Sequence, residues 1–181
     1  MSKPRDAGLA QPIPSEPLED LTTGSLTREL SRVEEANLSF YEAFSARDIE
    51  RMSRIWSKSP HARCVHPGWE LVVGWNDIRQ SWVEIFRTVS EIDFQLEDVH
   101  VEVAGRTAWV NLIAYVHITT DDGEDFDAAV VTTNIYEQLE GQWVLVLHHS
   151  SNFADDDGED EEEEEEYEAE GQNTPGNNEA N

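Results

Sequence analysis

Hydrophobic positions change period once along the chain, and the change separates a helical first half from a stranded second half. Leu26, Leu30, Val33, Asn37, Phe40, Tyr41 and Phe44 recur at helical spacing, with Ser25 placed to cap the start. They predict a long amphipathic first helix. Asp48 caps a shorter helix carrying Ile49, Met52, Ile55 and Trp56, which must stop by Lys58-Ser59-Pro60 because the residue before proline avoids the helical region. After an irregular stretch, Asn76 is the expected cap of a third helix with Ile78, Trp82, Ile85, Phe86 and Val89 on one face.

From Glu91 the period is two. Ile92, Phe94 and Leu96 alternate, then Val99, Val101 and Val103 alternate in the opposite parity, so a β-bulge is expected near Glu97-Asp98. Turns at Ala104-Gly105-Arg106, Asp121-Asp122-Gly123 and Glu140-Gly141-Gln142 divide the remainder into long antiparallel strands. In TAWVNLIAYVHIT both faces carry apolar groups, which predicts a strand partly covered on each side. Helices first and a bulged, curved sheet afterwards make an α+β domain spanning 25–154.

Charge adds two appendages to that picture. The chain of 181 residues has 12 Lys and Arg against 39 Asp and Glu, a formal charge of −27. Residues 155–181 hold fourteen of the acids, no base and one aromatic, Tyr167. Such a segment repels itself and cannot bury enough apolar surface to offset ordering entropy, so a disordered acidic tail is expected, serving solubility or tethering a basic partner. Residues 1–24 carry Pro4, Pro12, Pro14 and Pro17 without apolar period and read as a disordered proline-rich arm. With two lysines and ten scattered arginines, neither nucleic acid nor an anionic membrane is an expected partner. The single cysteine, Cys64, excludes an intramolecular disulfide and a multi-thiolate zinc site. No apolar run reaches the ~20 residues that cross a bilayer, and a cytoplasmic location is the expectation.

The segments CVHPGW, VVGWNDIRQSW and AAVVTTNIYE, followed by W-x-x-x-x-H-H-S-S on the last strand, resemble the SnoaL-like branch of the nuclear-transport-factor-two-like, or ketosteroid isomerase-like, superfamily. The resemblance covers roughly Leu26 to Phe153. It implies a cone-shaped α+β domain of three helices packed on a curved, mostly antiparallel sheet, enclosing one apolar pocket and pairing as a homodimer through the sheet. It does not imply one activity, because the fold hosts isomerases, cyclases, dehydratases and association domains.

Six residues are candidates for the site. The resemblance places His66 about where ketosteroid isomerases carry the general base of an Asp-Pro pair; a histidine there either exchanges a proton near neutrality or only fixes the Pro67-Gly68 turn. The same isomerases place a tyrosine on the first helix. Here Phe40 falls near that slot and Tyr41 is one residue off, a rotation of about 100° on a helix. On the last strand His148 and His149 must face opposite ways; His149 shares parity with Trp143, Leu145 and Leu147 and His148 with Val144 and Val146, so parity alone leaves the facing open, and the resemblance, whose last-strand histidine falls at His149, makes His149 the expected inward residue and second catalytic candidate. Trp69 and Trp82 are expected pocket walls, and Asn134 either orients a ligand or makes a structural hydrogen bond. Cys64 and His66 are zinc-type donors, but no dense ligand motif accompanies them, so neither metal nor cofactor is assigned. Two functions follow as expectations: a pocket for a small apolar ligand in which His66 acts as acceptor or base, and a non-catalytic homodimeric association module using the acidic tail.

Overall fold

The first apolar stripe becomes helix α1 (Thr23–Ser45) in a computed structural model that describes residues 23–152. The helix starts two residues ahead of Ser25, so Ser25 lies inside the first turn and is not its cap; no proline fixes that boundary. Thr23 and Gly24, expected in the arm, are helical; the rest of the arm and the acidic tail lie outside the described residues. Helix α2 (Ile49–Ile55) is capped as expected by Asp48, whose carboxylate accepts from the backbone N–H groups of Glu50 and Arg51, both at 2.9 Å. These bonds hold the Asp48 carboxyl below its usual range, the one to Arg51 most strongly. The helix ends well before Pro60 because the sheet takes the chain: Trp56 bridges Leu145, and the Ser57 N–H donates to the Leu145 carbonyl at 2.9 Å.

Strands β1 (Arg63–Val65) and β2 (Val72–Val73) lead into helix α3 (Trp75–Thr88). Gly74 caps α3 in place of the expected Asn76. Its φ of 83° lets the chain turn sharply out of β2, and its N–H is held by the Ala62 carbonyl at 2.9 Å. Four long strands follow: β3 (Val89–Ala104), β4 (Thr107–Thr120), β5 (Asp125–Leu139) and β6 (Gln142–Asn152). They pair antiparallel in sequence order, while β1 adds parallel to β6, giving the order β2-β1-β6-β5-β4-β3. Three helices thus pack on an open, curved, mostly antiparallel sheet of six strands.

Two irregularities decide which side chains face inward. The β3–β4 register shifts between Glu97 and His100, and Asp98 takes φ 50°, which is the bulge the parity change predicts. A second shift lies in β6. Ile135 pairs with Leu147 but Tyr136 pairs with Leu145, so Val146 is the extra residue. Trp143 and Leu145 are buried before it, and His148 and Ser150 are buried after it. Simple alternation along β6 therefore fails at Val146.

Glu29 fastens the start of α1 to the β5–β6 hairpin. One of its carboxylate oxygens accepts from Trp143 Nε1 at 2.9 Å and Gln138 Nε2 at 3.0 Å, and the other from Arg32 Nη1 at 3.0 Å. Removing it leaves a largely buried indole N–H unpaired. Glu29→Ala is expected to lower stability by roughly 1–3 kcal/mol in urea unfolding, while Glu34→Ala on the exposed face of the same helix should change it by less than about 0.5 kcal/mol. Equal effects would contradict this latch.

Candidate functional site

Between the helices and the concave face of the sheet lies a cavity of about 250 Å³. Phe44, Ile85, Val89, Ile92, Phe94, Ala114, Val116, Ile118 and Val130 make most of its wall. Tyr41, His66, Thr132, His148, Ser150 and Asn152 are the polar residues on its lining, and Pro67, Trp69 and Ala128 are exposed residues there. No Asp, Glu, Lys or Arg lines it among the described residues.

His66 follows β1 and is 3% exposed. Its Nε2 lies 2.9 Å from the Ser81 hydroxyl, which itself donates to the Ile78 carbonyl at 2.8 Å. Because that hydroxyl's single proton is committed, its oxygen accepts, and the imidazole proton must sit on Nε2. Nδ1 is then a lone pair. The Cys64 sulfur lies 3.6 Å from Nε2 and 3.9 Å from Nδ1, within sulfur hydrogen-bond reach of both ring nitrogens. Burial lowers the His66 pKa from 6.5 to about 4. Burial also pushes the Cys64 thiol well up, so its thiolate is suppressed.

His148, and not His149, is the second imidazole at the cavity. The bulge at Val146 reverses the facing that alternation from Trp143 predicts, leaving His149 exposed and His148 4% exposed. His148 Nδ1 lies 2.7 Å from Asn134 Oδ1. Asn134 donates from Nδ2 to Asn37 Oδ1 at 2.8 Å, and Tyr136 donates to the same oxygen at 3.1 Å. The Asn134 carbonyl is therefore the acceptor toward His148, which fixes the proton on Nδ1 and leaves Nε2 as a lone pair. Burial, helped by the neighbouring His66 and His149, lowers its pKa to about 3. The two rings are 6.3 Å apart between centroids. Both are neutral at physiological pH, and each is tied to the protein through its N–H.

The remaining sequence candidates divide. Tyr41 lines the cavity despite its one-residue offset, while Phe40 turns into the core against Trp82 and His148. The Tyr41 hydroxyl is buried beside the polar side chains of Thr132 and Asn134, with no hydrogen bond of good geometry to it among the described residues. Burial raises its pKa to about 12, with hydrogen-bonding interactions from the Thr132 and Asn134 side chains acting the other way. Trp69 lines the cavity at 41% exposure, its ring edge-on to His66 at 5.1 Å. Trp82 does not line it. Phe40, Phe44, Phe86, His66 and His148 surround its ring, so it backs His66 as core. Asn134 is fully buried behind His148 and positions that ring without touching the cavity.

Sequence reasoning missed Ser81, favoured His149 where the structure buries His148, and read Asn37 only as a member of the helical stripe. Asn37 carried a signal, being the one amide among large apolar residues on the buried face of α1. Ser81 carried a fainter one, a small polar residue three positions after Ile78 and beside Trp82. The hydroxyls of Thr132 and Ser150, 2.7 Å apart, pair with each other across β5 and β6. Among the described residues no group of three His, Cys, Asp or Glu is placed to hold a metal, and no helix is long and apolar enough to cross a membrane.

Comparison with known proteins agrees with this architecture. A family model described as a SnoaL-like domain matches residues 33–156. The F-box protein SKIP8 of Arabidopsis thaliana is 34% identical over 121 residues, covering 67% of this chain; the chain spans about half of that relative, 49% of its length. A solved structure of a proposed dehydratase of the NTF2-like family from Streptomyces avermitilis superposes with a TM-score of 0.67 at 30% identity, covering 72% of this chain and 99% of that one. A ketosteroid isomerase-like protein from Erwinia carotovora atroseptica gives a TM-score of 0.61 at 20% identity, covering 70% and 98%. An open curved sheet over three helices, a match through 33–156 and these neighbours together make the chain a member of the SnoaL-like family within the NTF2-like superfamily.

Proposed function

We propose that this protein binds a small uncharged molecule in the cavity, with His66 and His148 as the polar groups that face it. One observation carries the reading: two buried imidazoles, each held by a protein group at one ring nitrogen, line a largely apolar cavity of about 250 Å³. Purely structural histidines have no need of a shared cavity. An ion is disfavoured because no charged side chain lines the wall to offset its desolvation.

Proton transfer on the bound molecule is the chemistry this arrangement supports. His66 is in its basic form throughout the physiological range, yet burial makes its imidazolium costly. A base of that kind takes a proton only briefly and returns it to another atom of the same ligand. Isomerisation, cyclisation and elimination of water all have this form. Ser81 fixes the His66 tautomer, and Asn134, held by Asn37, fixes that of His148.

Ligand-observed NMR with a panel of neutral one- and two-ring compounds tests the pocket. Binding is expected, to be blocked by Ala128→Phe, which adds a ring at an exposed position on the lining, and weakened about tenfold by His66→Asn with little loss of fold. Binding untouched by both substitutions would place the ligand elsewhere and overturn the reading.

A homodimer is proposed on the opposite face of the sheet. Trp109, Ile113, Tyr115, Val131, Ile135 and Leu147 point away from the core, and Tyr115 and Val131 are 45% and 42% exposed. The pairings Trp109–Ile135–Leu147 and Ile113–Val131 set them in rows across β4, β5 and β6. Such a surface, continuous over three strands, is larger than scattered exposed apolar residues require. Sedimentation equilibrium should give twice the 20.6 kDa chain mass, and Val131→Lys, an exposed change, should return a folded monomer. A wild-type monomer at high concentration in near-physiological salt would contradict the dimer.

A further inference from the structure

We propose that the outer edge of β3 docks an extended peptide of a partner protein, which adds to the sheet as a further strand and alternates apolar residues with Lys or Arg. The proposal depends on neither the cavity nor the dimer. Strand β3 ends the sheet order and pairs only with β4 among the described residues, so alternate backbone N–H and C=O groups along it face away from the sheet. An edge of 16 residues is long for a protein to leave free. A groove runs beside it. Leu38 of α1 lines this groove with Phe94, Leu96 and Val99 of β3, and Leu38 and Val99 are 54% and 44% exposed. A strand laid along the edge covers both and gives the free backbone groups partners.

Period-two alternation sets the chemistry of the partner. Ile92, Phe94 and Leu96 share the inward face of β3, while Glu91, Asp93 and Glu97 are exposed on the outward face. An incoming strand therefore places apolar side chains beside Phe94 and Leu96, and on its other face Lys or Arg beside Asp93 and Glu97, where opposite charges make favourable cross-strand pairs. Acids also rim the groove from the helix side, at Glu34, Glu35 and Glu42, and the one cation on its lining, Arg51, is already paired with Glu42 at 3.0 Å. The same acids reject a second copy, because edge-to-edge pairing would set Asp and Glu of one β3 against those of the other. The bulge at Asp98 ends the regular stretch, which leaves the segment from Glu91 to Glu97 as the docking length.

The test is amide hydrogen exchange of the full chain in about 0.15 M salt, where long-range attraction is screened, with and without an acetylated and amidated peptide of sequence KVKVKVK. Exchange within 91–97 is expected to slow roughly tenfold at saturation while β5 is unchanged, and KKVVVKK, of equal composition, should have no such effect at the same concentration. Leu38→Asp, an exposed change, should abolish the protection, as should Asp93→Lys combined with Glu97→Lys. Protection by KKVVVKK equal to that by KVKVKVK would reduce the effect to net charge and overturn the strand assignment. So would a peptide that binds without slowing exchange within 91–97, since the acidic residues 155–181 would then be its site. Slow exchange within 91–97 in the free chain would show the edge already taken, by this chain's own residues if independent of concentration and by a second copy if not, and either result overturns the proposal.

Discussion

A polar group carried into a dry core must find its partners there, at a cost of roughly 1–3 kcal/mol when it does not, and this constraint organises the molecule. Asn37 of α1 reaches Asn134 and Tyr136 of β5, and Asn134 reaches His148 of β6. One chain of hydrogen bonds thereby sets the height of the long helix over the sheet and the tautomer of a histidine at the cavity. The same accounting at Ser81, whose proton is committed to Ile78, sets the tautomer of His66 from the side of α3. Structure and chemistry share these bonds, so the imidazoles are oriented by groups that the fold already needs.

The bulges do the complementary work. An unbroken β6 would alternate from Trp143 through Leu145 and Leu147 to His149, sending His148 outward and leaving Asn134 without its partner. The extra residue at Val146 lets Trp143 and Leu145 fill the core near the hairpin while His148 and Ser150 face the cavity farther along. The β3 bulge at Asp98 similarly keeps both Ile92 and Val101 in inward-facing positions, opposite Ile118 and Val110 of β4. A sheet bent at these points surrounds a space on its concave side. Its convex side carries the rows of apolar groups proposed to pair with a second copy.

Most of this was legible from period and turn chemistry. The helical stripe, the Asp48 cap, the β3 parity change and the three hairpin turns each have a local cause, and the structure places each near its expected position. The β6 bulge was not legible, because Val-Leu-Val-Leu is apolar on both parities and either phase satisfies the pattern; only its pairing with β5 decides. Without that pairing, the pattern does not separate His148 from His149. The sequence leaves Asn134 open between a ligand contact and a structural bond because its partner Asn37 is distant in sequence, and it puts Trp82 on the pocket because a helix face does not tell which ring will stand in front of it. Helix starts at Ser25 and Asn76 failed for a simpler reason: a capping residue is permissive, and the backbone at Gly74 supplied a sharper turn.

The central claim is that two buried, neutral imidazoles of fixed and opposite tautomer face one cavity. Long-range ¹H–¹⁵N correlation of the histidine rings reads protonation and tautomer together. At about pH 6 the account predicts His66 neutral with its proton on Nε2 and His148 neutral with its proton on Nδ1, both resisting protonation until the pH falls toward 4 and 3 respectively. An imidazolium at either position at pH 6, or rapid tautomer averaging at both, would contradict it.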